Sequence, residues 1–346
     1  MIRLAVLLLL GPAVAAGATG CTSRSHAEQA LHLYVSNEVS GDISVYDAQT
    51  LRPLRRIDVG KRPRGLRLSP DGSLLYVAVS GSPREPPGTD PSTLPPPDRR
   101  ADGIAVVDPA RGRVLRILES GTDPESFALS PDGKWLCVSN EDAAQASFVD
   151  LATGKVVAQV PVGGEPEGVA VHPNGSVVYV TSEEENQVVV LDADRHVEVA
   201  RFSTGPRPRG IAFTPGGARA FITNENGASL TVADAWKHRA LGTIPLGEGA
   251  RPMGAVVSGD GQRLYVSLGR GGGVAVVDVP TLTVVRRLDG VGARPWGIAL
   301  TPDGTRLFTA NGPGNDVTVL ELPEGRERRK LPAGESPWGI ALGVAP

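Results

Sequence analysis

Short apolar runs separated by Gly-, Pro- and Asp-rich breaks make up most of this chain, and no stretch carries the 3.6-residue period of an amphipathic helix. The pattern is clearest in PWGIALTPDGTRLFTANGPGNDVTV, from Pro295 to Val319. Gly297-Ile298-Ala299-Leu300 alternates small with large side chains, which is the two-residue period of a strand. Thr301-Pro302-Asp303-Gly304 is a turn: proline presets φ, aspartate bonds nearby backbone, and glycine accepts positive φ. Arg306 to Ala310 reads as a second strand and Asp316 to Leu320 as a third. The fourth is clearest one unit earlier, at Leu282 to Leu288. Each unit is expected to be a four-stranded antiparallel meander.

The unit recurs. Copies start at Pro63, Pro124, Pro166, Pro208, Pro252 and Pro295, and a truncated copy, PWGIAL, starts at Pro337. From Pro124 onward the starts lie 42 to 44 residues apart; the step from Pro63 to Pro124 is 61, because an insertion sits inside it. Such a period marks a repeat architecture. A lone meander cannot bury both faces, whereas radially stacked meanders cover one another and leave few exposed edges. The first strand of each unit carries Gly or Ala at alternate positions, as in Gly168/Ala170, Gly210/Ala212 and Gly297/Ala299, which suits the crowded axis of a propeller. The pattern therefore predicts an all-β, seven-bladed β-propeller with the PxGIAL strand innermost. Six blades are complete. The seventh is composite: Leu31 to Val35, Ile43 to Tyr46 and Leu54 to Val59 supply its later strands, and the chain after Pro337 supplies its first, closing the ring.

The chain's ends and its one irregularity add to this picture. Arg3, the apolar run Leu4 to Leu10 and the small residues before Cys21 read as a secretory signal over residues 1–20. Ala18-Thr19-Gly20-Cys21 is a lipobox pattern, so Cys21 is expected to be lipidated and the protein held on a membrane facing the periplasm or cell exterior. A spanning helix is excluded by length, since about 20 apolar residues are required. Residues 21–30 form a polar tether, and residues 31–346 one domain. The segment from Gly81 to Asp102 (GSPREPPGTDPSTLPPPDRRAD) has no apolar period and seven prolines, so it is expected to be an extended surface loop. It reads as a tolerated insertion or as a docking segment or lid. Net charge is −3, moving to −4 when the leader with Arg3 is removed. Without a basic patch and with 4% aromatic residues, nucleic acid is excluded as a partner. Cys137 is the single cysteine inside the domain, so no disulfide framework exists, and a closed ring of this kind is expected to act as a monomer.

Candidate chemistry concentrates where loops from successive blades converge on the axis. The residue between Pro and the strand glycine varies: Arg64, Glu167, Arg209, Met253, Trp296 and Trp338, with Glu125 in the matching place. At the ends of second strands lie Asn37-Glu38, Asn140-Glu141, Asn224-Glu225 and Asn311. These groups suit either a ligand site or the solvated rim of a channel. Arg64 and Arg209 offer forks for carboxylates, and Trp296 and Trp338, from neighbouring blades, offer stacking faces. Glu125 and Glu167 would repel an anion, which leaves a neutral or cationic ligand open. His26, His32, His172, His196 and His238 all fall away from this opening, which argues against histidine-based catalysis or a metal cluster. Glu183-Glu184-Glu185 reads as a solvated acidic loop or as part of an oxygen-ligand cation site. Asp47, Asp108, Asp150, Asp192, Asp234 and Asp278, once per blade, read as turn-forming.

LYVSN, LYVAVS, VVYVTSE, AFITNEN and LFTANG, each beside an SPDG-like turn, resemble the YVTN-type β-propeller repeats of bacteria, over nearly all of the chain after its leader. GTDPESFALSPDGKWLCVSNED and PVGGEPEGVAVHPNG are similar to the propeller proteins associated with catabolism dependent on pyrroloquinoline quinone (PQQ). That resemblance implies a periplasmic accessory protein with a partner in a quinoprotein or transporter system. PQQ, a planar and multiply carboxylated quinone, would use both the arginines and the tryptophans. The expected role is a non-enzymatic ligand-binding or scaffold propeller; the alternatives are a lactonase-like hydrolase and a redox-cofactor carrier, for which Met253 is the candidate haem ligand.

Overall fold

The computed structural model describes residues 30–84 and 89–344. The leader, Cys21 and the tether as far as residue 29 lie outside the described residues. Seven separate four-stranded antiparallel sheets form the molecule, as the repeat predicts. The composite sheet, here blade 1, sets Pro337–Val344 against Leu31–Asn37, followed by Asp42–Asp47 and Pro53–Asp58. Its two chain ends meet in register, with Val35 opposite Ile340 and Leu33 opposite Leu342. Blades 2 to 7 follow in chain order, and the innermost strand of each is the PxG strand, as in Pro166–Val171 and Pro295–Leu300.

Hydrophobic burial explains the ring. Second and third strands are covered on both sides, so Leu75–Val79 is buried throughout, whereas the outermost strands, such as Pro53–Asp58, are mostly exposed. Seven apolar cores result, one in each cleft between adjacent blades. The core between blades 7 and 1 joins Phe308 and Val317 to Leu33, Val35 and Ile340, so the last cleft is packed like the others. Cys137 is one of the buried apolar groups of the cleft between blades 3 and 4.

The small residues of the innermost strand have a specific cause. A Cβ on Gly210, Gly254, Gly297 or Gly339 would lie 2.5–2.7 Å from a backbone carbonyl of the next blade, that of Met253, Trp296, Trp338 or Arg64. Three of these carbonyls accept hydrogen bonds from hydroxyls of the preceding blade: Ser36 Oγ to Arg64 O at 2.6 Å, Thr223 Oγ1 to Met253 O at 2.7 Å, Ser267 Oγ to Trp296 O at 2.6 Å. Ser139 and Thr181 bond the carbonyls of Glu167 and Arg209 in the same way. These contacts lock Arg64, Glu167, Arg209, Met253 and Trp296 at the axis.

Turn chemistry is structural, as read. The Asp303 carboxylate accepts from Thr305 N at 3.0 Å, and Gly304 has φ of 71°. At the turn between third and fourth strands of blade 4, on the same face, Asp192 accepts from Arg195 N at 2.7 Å. The 81–102 insertion contains two single 3-10 turns, Pro91–Thr93 and Arg99–Ala101, and no strand among its described residues. No helix among the described residues is long and apolar enough to cross a membrane.

Candidate functional site

On the face where chains enter the innermost strands, the axis opens into a cavity of about 890 Å³. Below it, the innermost strands enclose a narrower chamber of about 150 Å³. Glu167, Arg209, Met253, Trp296 and Trp338 line both, so they ring the constriction between the two. In the chamber Arg67 donates from Nη1 to Leu66 O at 2.8 Å, and enclosure in the channel pushes its pKa down.

Ten of the fourteen residues expected at the opening do line it: Glu38, Arg64, Glu125, Glu141, Glu167, Arg209, Glu225, Met253, Trp296 and Trp338. The four asparagines do not. Asn37, Asn140, Asn224 and Asn311 are fully buried and tie second to third strands. Asn37 Nδ2 donates to Ser44 Oγ at 2.9 Å, Asn140 Nδ2 to Ser147 Oγ at 2.8 Å, Asn224 Nδ2 to Thr231 Oγ1 at 3.0 Å, and Asn311 Nδ2 to Thr318 Oγ1 at 2.9 Å. A buried amide needs partners, and these hydroxyls, with Asp42, Ser229 and Asp316 accepting the second N–H of Asn37, Asn224 and Asn311, occupy it inside the blade.

A second ring of side chains was missed in the sequence. The residue before each rim proline also faces the cavity: Arg62, Asp123, Glu165, Arg207, Arg251 and Arg294. All but Arg251 hold positive φ, between 42° and 57°, as does Ser336 in blade 1 at 58°. The signal was present as a charged residue before six of the seven prolines.

Read blade by blade, these two positions divide the mouth. Blades 2 and 5 carry Arg62/Arg64 and Arg207/Arg209, and blades 3 and 4 between them carry Asp123/Glu125 and Glu165/Glu167. The arginines are consumed by the acids. Arg64, 1% exposed, is ion-paired to Asp123 and Glu125, with Glu141 Oε2 at 3.7 Å. Arg209 is ion-paired to Glu167 and reaches Glu183 Oε1 at 2.8 Å and Glu225 Oε2 at 2.9 Å. Neither guanidinium is free for a ligand carboxylate, which corrects the expectation from sequence. The acids divide in turn. Burial pushes the Asp123 and Glu167 carboxyls up, but Arg64 with Ser80 and Arg62 at the first, and Arg209 with Arg64 and Glu183 at the second, together hold them below the usual range. Burial wins at Glu125 and Glu141, with neighbouring carboxylates adding to it, and it pushes Glu183 up to about 9.

Blades 6 and 7 present Arg251/Met253 and Arg294/Trp296, and blade 1 presents Trp338, its Ser336 being buried outside the cavity wall. The glutamate that follows the second strand in blades 1, 3, 4 and 5 (Glu38, Glu141, Glu183, Glu225) is Ser80 in blade 2 and becomes Gly269 and Gly312 in blades 6 and 7. Among the described residues, Arg251, Arg270 and Arg294 join no salt bridge. Arg294 lies over the Trp296 ring at 4.5 Å, and Trp296 meets Trp338 edge to face, with centroids 5.8 Å apart and an interplanar angle of 84°. The two indoles therefore form a corner rather than a parallel slot.

The Pro-rich insertion stands at the cavity, with Leu94, Pro95, Pro96, Pro97 and Arg99 among its walls. Its base is pinned by Lys61 to Asp98 at 2.8 Å, by Arg62 Nη1 to Ser82 O at 2.9 Å, and by an ion pair from Arg99 to Asp142. It is thus part of the site. The acidic run 183–185 is split: Glu183 is buried against Arg207 and Arg209, and Glu185 accepts from Gly164 N at 2.9 Å. Among the described residues no group of three or more His, Cys, Asp and Glu could hold a metal ion. None of the described histidines lines the cavity; His172 bonds Asn174 and Gly217 O, and His238 bonds Tyr179.

Residues 102–219 match the model of the YNCE-like beta-propeller family. A curated relative, Antigen Lp49 of Leptospira interrogans, is 34% identical over 137 residues, covering 31% of this chain and 30% of the relative. The chain thus spans less than a third of that relative's length. Among solved structures, a functionally unknown protein from Desulfotomaculum acetoxidans superposes with a TM-score of 0.75 at 20% identity, covering 90% of this chain and 98% of that one. A putative 6-phosphogluconolactonase from Bacteroides fragilis gives 0.72 at 18% identity, covering 92% and 99%. At such identities the likeness is one of fold.

Proposed function

We propose that this chain is an exported, lipid-anchored accessory propeller that binds a small planar anionic ligand at the mouth of its axis without transforming it. The observation that carries this reading is the 890 Å³ cavity, walled by loops of successive blades and by a dedicated insertion. Concave sites with a few convergent polar groups are where proteins take small ligands. The non-enzymatic half of the reading is supported by the acids: most of the carboxylates at the mouth are committed to Arg62, Arg64, Arg207 and Arg209. By the resemblance of its repeats, the ligand class includes PQQ and the setting is quinoprotein-dependent catabolism. Equilibrium titration of the full chain with PQQ tests this, with saturable one-to-one binding expected. No binding would remove PQQ as the ligand. The anchor rests on the lipobox alone. Wild-type protein is expected in the membrane fraction and Cys21→Ala in the soluble one; identical partitioning of the two would refute lipidation.

A further inference from the structure

We propose that blades 6 and 7 form an anion subsite for a planar aromatic carboxylate, with Arg270 and Arg294 holding the carboxylate and the Trp296–Trp338 corner holding the ring. This rests on reading the cavity as a ligand site. It locates recognition in the half of the mouth that the protein does not neutralise by itself.

Elsewhere around the rim every cation meets an acid. In blades 6 and 7 the neutralising glutamate is absent, and Gly269 and Gly312 stand in its place. Arg270 is exposed and Arg294 half-buried, and neither joins a salt bridge among the described residues. Burial, with the charge of Arg270 adding to it, pushes Arg294 below its usual range, so the two guanidiniums repel each other. A carboxylate between them would relieve that repulsion, and the planar fork of arginine suits it in charge and geometry. The aromatic half has its own unsatisfied group. Trp296 Nε1 is buried without a hydrogen-bond partner, and an indole N–H can only donate. An acceptor on the ligand would satisfy it. The corner of two indoles offers ring faces, and Met253 and the prolines of the insertion add apolar surface at the same mouth.

Isothermal titration calorimetry of the full chain with trimesate, a planar benzene tricarboxylate, tests the subsite apart from quinone chemistry. Binding is expected to weaken with salt and to be lost for the uncharged trimethyl ester. Arg270→Gln and Arg294→Gln are each expected to weaken it about tenfold or more, while Lys237→Gln, on the opposite face, leaves it unchanged. Melting temperatures near wild type show that the variants fold. Absent trimesate binding, or equal affinity in all four proteins, overturns the subsite. Complete displacement by an equal concentration of inorganic phosphate overturns its aromatic half. If PQQ binds equally to wild type and both arginine variants, the subsite fails while the cavity reading survives. If trimesate follows the expected pattern and PQQ does not bind, the subsite stands and the PQQ assignment falls.

Discussion

Blades 2 to 5 and blades 6, 7 and 1 bring the same two loop positions to the axis and fill them in opposite ways. The first group alternates arginine pairs with acid pairs, and its charges cancel through buried bridges such as Arg64 with Asp123 and Glu125. The second sets Met253, Trp296 and Trp338 beside arginines that join no salt bridge among the described residues. Burying charge is tolerated when paired, and removing one partner of a buried pair is far more costly than the pair's net worth. The charged half is therefore a structural girdle, and the apolar half is the part left open to recognition. A count of rim charges alone would rank them the other way.

Blade 1 joins the two halves, so cutting it should produce the largest effect. Deleting residues 337–346 removes its innermost strand and the buried Ile340, and uncovers a strand edge along Leu31–Asn37. A loss of several kcal/mol is expected. An unchanged melting temperature would show that the ring does not depend on this closure.

The contrast between halves is tested directly by two truncations. Arg64→Ala leaves Asp123 and Glu125 buried without their cation, and denaturant unfolding should show a loss of about 3–5 kcal/mol. Arg294→Ala breaks only its contact over Trp296, expected to cost about 0.5–1 kcal/mol. Comparable losses in the two would erase the distinction between girdle and recognition surface.

The last test concerns protons. Burial first, and Glu167 next, raise Glu183 from 4.5 to about 9. A carboxyl raised by folding stabilises fully below its unfolded value, and the contribution fades as pH climbs through the folded one. Melting temperature is therefore expected to fall between about pH 4.5 and pH 9, with a shallower slope in Glu183→Gln. Equal slopes in the two proteins would show that Glu183 is charged throughout this range.

The fold was legible because a repeat repeats its errors as well as its signals. Turn residues, alternating strands and a fixed period agree seven times over, so even a truncated copy at Pro337 could be paired with the N-terminal strands. Rim positions were legible for the same reason: a residue that varies where its neighbours do not stands out. Asn37, Asn140, Asn224 and Asn311 misled, because a buried amide serving its own blade and an amide facing a ligand look alike in one dimension. The insertion was left as either a tolerated surface loop or a docking segment or lid, since nothing in GSPREPPGTDPSTLPPPDRRAD indicates which way it folds; Lys61, Arg62 and Asp142, outside it, decide that.

By itself the sequence determined the number of blades, the order of strands, the closure of the ring and the identity of the side chains offered to the axis. These follow from local periodicity and turn chemistry, which neighbouring residues settle among themselves. Only the tertiary structure decided which of those side chains are spent and which are free. Arg64 and Glu125 are 61 residues apart and Arg209 and Glu167 are 42 apart, yet each pair shares an ion bridge at the axis. Coulomb energy depends on distance through space and on burial, and both are set by how one blade leans on the next.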